Sequence, residues 1–352
     1  MKLRQYGWKC ILQSVFPLGL LLPFLASAPF AWADTVRTLS ASITGKVVEA
    51  TSQKVIVDRG QGRIEEINPH LVDMIFFDDE PSVLRTAKMA VAAGRYEEAL
   101  TALEKVQLPE NATSLVRQEL EFYRSFCKAR LALGTSDPQS LEQASEGLSQ
   151  FINQYQNSFH YWSACELLGD LLTARGDYAS ASQFYGRLSK ATWPELQMRG
   201  LVALGRTQLA QKKFSEAAKA FDDALQIQAT GPAADRAKTA ATLGKARCLA
   251  ERDEPDQAIA MVQEVIKNTP VEEASLLAEA YNTLGVAHRK AGRTKEAILA
   301  FLHTDLLYFS VATQHIEALD NLVSLFAQVG QRQRAEEVAK TLRERYKREP
   351  SG

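Results

Sequence analysis

Residues 167–185 read LLGDLLTARGDYASASQFY, and residues 204–221 read LGRTQLAQKKFSEAAKAF. In each, a Leu-Gly pair (Leu168-Gly169, Leu204-Gly205) is followed at one fixed spacing by an aromatic (Tyr178, Phe214), an alanine (Ala181, Ala217) and a second aromatic (Tyr185, Phe221). Apolar residues three and four apart place these groups on helix faces. Gly176 breaks the first stretch into two helices. A glycine inside a helix costs about 1 kcal/mol relative to alanine, so it needs a packing reason. Here it lets a neighbouring helix approach, the alanine does the same from the other side, and the second aromatic fills the gap between successive hairpins.

The frame returns in Tyr281, Leu284-Gly285, Gly292, Ala297 and Phe301. Between these copies lie Leu243-Gly244, Ala258, Val262 and Val265, where the frame holds if the turn at Asp253-Glu254-Pro255 is two residues longer. Gly94, Tyr96, Ala99 and Leu103 match the turn and second helix of a first hairpin, and Gly330, Ala335 and Ala339 those of a last one. Residues 111–155 fit another through Ala144, Leu148 and Phe151. Helical punctuation every 40 residues or so marks a repeat array, in which each unit buries its apolar face only by stacking on the next.

These landmarks resemble the tetratricopeptide repeat (TPR), over roughly residues 82–347. The resemblance implies a right-handed α-solenoid of about seven helical hairpins, with a concave groove lined by the first helix of each. Carried over residue by residue, it places Arg199, Arg206, Lys238, Lys245, Asn282, Arg289 and Lys290 at groove positions, a basic stripe suited to an acidic segment through charge-assisted hydrogen bonds. The Lys and Asn pairing of carboxylate-clamp members is absent, since Val202 with Arg206 and Asn282 with Val286 stand there.

Ahead of Pro81 the pattern is strand-like. Ser42–Glu49, Gln53–Asp58, Arg63–Ile67 and Leu71–Phe77 are expected strands, the middle two joined by the Gly-containing turn Asp58-Arg59-Gly60-Gln61-Gly62. Residues 34–80 thus form a small β-domain resembling an SH3-like or Sm-like barrel, residues 81–347 the solenoid, and residues 348–352 a tail. Residues 1–33 carry Lys2, Arg4 and Lys9, then an uncharged stretch from Cys10 ending in Ala31-Trp32-Ala33. This is the layout of a secretory signal peptide, giving a periplasmic or extracellular mature protein. The uncleaved segment as a membrane anchor is the alternative.

Lys plus Arg is 41 and Asp plus Glu is 42, which gives no general electrostatic basis for binding nucleic acid. Cleavage after Ala33 leaves Cys127, Cys165 and Cys248, all inside helical patterns and expected as buried thiols. The five histidines are dispersed, and no motif for nucleophile, metal or phosphate chemistry occurs. The expectation is a non-enzymatic protein–protein interaction scaffold of the cell envelope, with no cofactor or metal. The alternative is an envelope glycan or small-molecule binder using the β-domain and groove.

Overall fold

The computed structural model describes residues 33–38 and 40–351, so the expected signal segment, except for Ala33, lies outside the described residues. Five strands open the described chain: β1 (Asp34–Thr38), β2 (Ser42–Ala50), β3 (Val55–Asp58), β4 (Ile64–Ile67) and β5 (Val72–Phe76), with a one-turn 3₁₀ helix at Pro69–Leu71. They form one antiparallel sheet in the order β4-β3-β2-β1-β5. The four strands expected from the sequence are present within a residue or two. β1 is additional: its five residues hold one aliphatic side chain, Val36, which is fully buried and pairs with both Ile43 and Ile75.

Fourteen helices then pair into seven hairpins among the described residues. They are α1 (Ser82–Ala92) with α2 (Tyr96–Glu104), α3 (Ser114–Thr135) with α4 (Pro138–Gln154), and α5 (Tyr161–Ala174) with α6 (Tyr178–Leu188). Next come α7 (Pro194–Ala210) with α8 (Phe214–Gln226) and α9 (Pro232–Glu251) with α10 (Pro255–Asn268). The last two are α11 (Ala274–Lys290) with α12 (Thr294–Leu307) and α13 (Ala312–Gln328) with α14 (Arg332–Tyr346). Each hairpin turn carries one left-handed residue, at Gly94, Ser136, Gly176, Lys212, Asp253, Gly292 and Gly330. That conformation closes the first helix by the αL route, and glycine adopts it without steric cost.

The glycines inside the first helices act as their spacing predicts. A Cβ on Gly169 would lie 2.5 Å from the Tyr185 ring, one on Gly205 2.7 Å from Phe221, and one on Gly285 2.7 Å from Phe301. Gly244 departs from the frame: its Cβ would meet Phe221 of the preceding hairpin at 2.2 Å. The left-handed Asp253 lies eight residues after Lys245, as Gly176 does after Leu168 and Lys212 after Leu204. The fifth hairpin is therefore read two residues too early from Leu243-Gly244. Lys245-Ala246 is its landmark, with Ala246 fully buried. The two extra residues lengthen α9, and the turn Arg252-Asp253-Glu254 matches its neighbours in length.

The sheet and the first hairpins share one apolar core, running from Val36, Val55 and Ile75 to Leu196 on α7. At their junction Lys88 is fully buried, donates to the Ile75 carbonyl at 2.7 Å, and pairs with Glu80 at 2.5 Å and with Glu119. Glu119 also meets His160 Nε2 at 2.5 Å. Burial works to raise the Glu119 pKa, but the Lys88 and His160 charges prevail and hold it low. A second link joins Trp162 Nε1 to the Ser52 carbonyl at 2.8 Å. Cys127, Cys165 and Cys248 are free and buried, and burial pushes their thiols up to about 12, 11 and 11.

Candidate functional site

The first helices of successive hairpins lie side by side: α3 against α5, α5 against α7, α7 against α9, α9 against α11, and α11 against α13. The row curves until α13 touches α3, and Arg348 Nη1 stands 3.5 Å from Ser136 Oγ at the same closure. The inner faces of α7, α9, α11 and α13 bound a cavity of about 680 Å³. Its walls carry the cations Arg206, Lys212, Arg247 and Lys290 and the carboxylates Glu251, Glu279 and Glu317. Phe214 is the only aromatic among the lining residues.

The charges are organised as ion pairs between helices. Arg206 on α7 reaches past α9 to Glu279 on α11 at 2.6 Å, and Arg247 on α9 reaches past α11 to Glu317 on α13 at 2.7 Å. Lys290 on α11 pairs with Glu251 on α9 at 2.8 Å. The Glu279 charge, acting first and against burial, raises the Arg206 pKa further above neutral pH. Both guanidiniums therefore stay charged at any physiological pH and serve as fixed donors.

Of the seven residues placed at groove positions from the sequence, the cavity gathers two, Arg206 and Lys290. Arg199 instead pairs with Glu166 on α5, and Lys245 with Asp222 on α8 at 2.6 Å. Lys238 donates to the Ala229 carbonyl at 2.6 Å, and Arg289 to Asn321 Oδ1 at 2.8 Å. Asn282 is 1% exposed, and its amide donates to the Gln314 carbonyl at 2.8 Å and to Glu317, bracing α11 against α13. The stripe is thus a row of partnered side chains rather than a run of free cations, with Arg199, Arg206, Lys245 and Lys290 in ion pairs. Arg247 and Glu251 escape a reading anchored on Gly244. With the landmark moved to Lys245-Ala246 they align with Arg206 and Ala210 of the hairpin before, and all four line the cavity. Among the described residues no cluster of His, Cys, Asp and Glu side chains is suited to holding a metal ion.

Two family models, each described as tetratricopeptide repeat, match residues 166–235 and 208–280. No curated protein matches the chain. Among solved structures, a Rap protein complexed with competence and sporulation factor is similar at 14% identity and a TM-score of 0.50, over 74% of each chain. A tetratricopeptide repeat protein from Parabacteroides merdae is similar at 16% identity and a TM-score of 0.49, over 74% of this chain and 90% of that one. YrrB, described as a TPR protein with an unusual peptide-binding site, is similar at 16% identity and a TM-score of 0.30, over 56% and 92%. The architecture is thus a mostly helical, TPR-like solenoid that follows a small antiparallel sheet, with residues 166–280 similar to tetratricopeptide repeats.

Proposed function

We propose that the chain is a non-enzymatic interaction scaffold of the cell envelope that holds an extended, acidic segment of a partner protein in its concave groove. The observation that carries this reading is the charge arrangement around the cavity, where Arg206, Lys212, Arg247 and Lys290 face Glu251, Glu279 and Glu317. One incoming carboxylate completes that balance. The Rap protein of similar fold, complexed with competence and sporulation factor, agrees with use of such a solenoid to hold a partner.

The glycan reading finds less support. Sugar sites favour exposed aromatic platforms, whereas Trp162 is tied to Ser52 and Tyr281 stacks on His303 at 4.5 Å, outside the cavity lining. Export rests on the charged start and the small-x-small site at Ala31-Trp32-Ala33. Mass spectrometry of the mature N-terminus tests it, and a chain that retains Met1 in the membrane fraction means an anchor instead.

The groove is tested by capture from an envelope extract with the parent chain and with Arg206→Glu/Arg247→Glu. The double variant is expected to lose its partners while keeping its helicity and melting temperature. Parent binding should also weaken with added salt, since exposed charges are screened over about 8 Å at physiological ionic strength. Equal capture by both chains at every salt concentration rules the groove out.

A further inference from the structure

α12 breaks the rule that a helix on a protein surface turns a polar face to water. Its inner face buries Ala297, Ala300, Phe301 and Thr304, yet its outer face carries Leu299 at 59% exposure, Leu306 at 66% and Leu307 at 62%, with Leu302 partly buried between them. Phe309, just past the helix end, is 49% exposed. Leu299, Leu302 and Leu306 stand at i, i+3 and i+7, the spacing of a helix–helix seam. The stripe lies on the second helix of its hairpin, away from the first helices that bound the groove.

We infer that this face of α12 is the interface of a two-fold symmetric homodimer, in which the α12 helices of two copies pack antiparallel. An axis between Leu302 and His303 lays Leu302 of each copy against His303 of the other. An antiparallel copy centred there lays Leu299 of one chain on Leu306 of the other and the reverse, the self-complementarity a two-fold interface requires. The charges obey the same symmetry. Glu296 in the first turn of α12 comes opposite Phe309 of the second copy, and Arg345 sits over the Phe309 ring at 5.2 Å, donating to its carbonyl at 3.0 Å. Glu296 of each copy therefore meets Arg345 of the other. A specific pair buries about 800 Å² per partner, so the leucines form the centre of the contact, and Lys295, Glu296, His303, Ser310 and Arg345 its rim.

Sedimentation velocity on the full chain over a wide concentration range tests the inference. The parent is expected to pass from monomer to dimer as concentration rises, and Leu299→Glu/Leu306→Glu to stay monomeric throughout with an unchanged circular dichroism spectrum. Glu296→Arg and Arg345→Glu should each weaken dimerisation several-fold, and their combination should restore it, because the swapped charges meet again across the two-fold axis. The charge swap keeps the test decisive if the leucine variant folds poorly. A parent that stays monomeric, a dimer that survives the leucine changes, or a swap that fails to restore it overturns the inference. The groove variants leave this equilibrium untouched, so the two readings fail separately.

Discussion

Phe221 is fully buried, with its ring against Gly205 of its own hairpin and Gly244 of the next. A methyl on Gly244 would lie 2.2 Å from Cζ, and the ring has no room to retreat because the other glycine backs it. Alanine is the better helix former by about 1 kcal/mol, whereas overpacking a tight core costs about 1–3 kcal/mol. Gly244→Ala is therefore expected to destabilise on balance. Gly200→Ala should do more harm, because its Cβ would meet the backbone nitrogen of Ser189 at 2.3 Å, and no side-chain rotation relieves that. Thermal melting orders the two, and a Gly200→Ala chain that melts with the parent would mean that α6 and α7 shift apart freely. The Gly205 and Gly285 roles are legible in sequence because the aromatic partner stands at a fixed distance in the same hairpin. Gly200 has no such partner, since it touches backbone, and the chain offers no sign of it.

His70 gives the residue scale a pH signature. It is 8% exposed, its ring lies 5.1 Å from Trp193, and its Nε2 stands 3.6 Å from Glu195, beyond hydrogen-bond reach. Burial pushes its pKa down to about 4, against a partial pull upward from Glu195. A depressed folded value means that the unfolded chain takes up the proton first. The stability contribution is complete above about pH 6.5 and is lost as pH falls toward about 4, in all about 3 kcal/mol. His70→Leu is expected to flatten unfolding free energy across that window relative to the parent. Parallel curves for the two chains would show that His70 is hydrated or paired.

At the scale of elements, the sheet and the first hairpins are locked by Lys88, whose ammonium lies among Glu80, Glu119 and the Ile75 carbonyl with no exposure. Removing one partner of a buried pair costs about 3–5 kcal/mol, because the remaining charge is left uncompensated. Lys88→Met should lower denaturant stability by about that amount, with Lys88→Met/Glu119→Gln recovering part of it. A loss below 1 kcal/mol would mean that water reaches the cluster. Sequence patterning says nothing of a lysine on the buried side of α1 meeting a glutamate on the buried side of α3. Such pairing follows from tertiary placement. The fifth hairpin shows a related limit: Leu243-Gly244 imitates the landmark because Gly244 answers Phe221 of the hairpin before it, and that shifts the reading of α9 by two residues. Lys245 is then taken for a groove residue in place of Arg247.

For the molecule as a whole, the curvature of the array decides what the groove can hold. Arg206 and Arg247 each reach across an intervening helix to their carboxylates, and the row closes far enough for α13 to touch α3. Two forces can set this curvature: the apolar wedges between hairpins, such as Phe221 and Phe301, and the ion pairs across the inner face. Partly exposed pairs contribute only about 0.2–1 kcal/mol each, too little to govern folding but enough to bias an array whose ends meet through few contacts. Arg206→Gln/Arg247→Gln is therefore expected to keep its helicity, to melt within a few degrees of the parent, and to show a larger radius of gyration by small-angle scattering. The parent should move the same way in 1 M salt, where charges are screened over about 3 Å. Scattering profiles that superimpose under all three conditions would assign the curvature to the apolar wedges alone. The groove would then be a rigid mould, and its ligand would be selected by shape before charge.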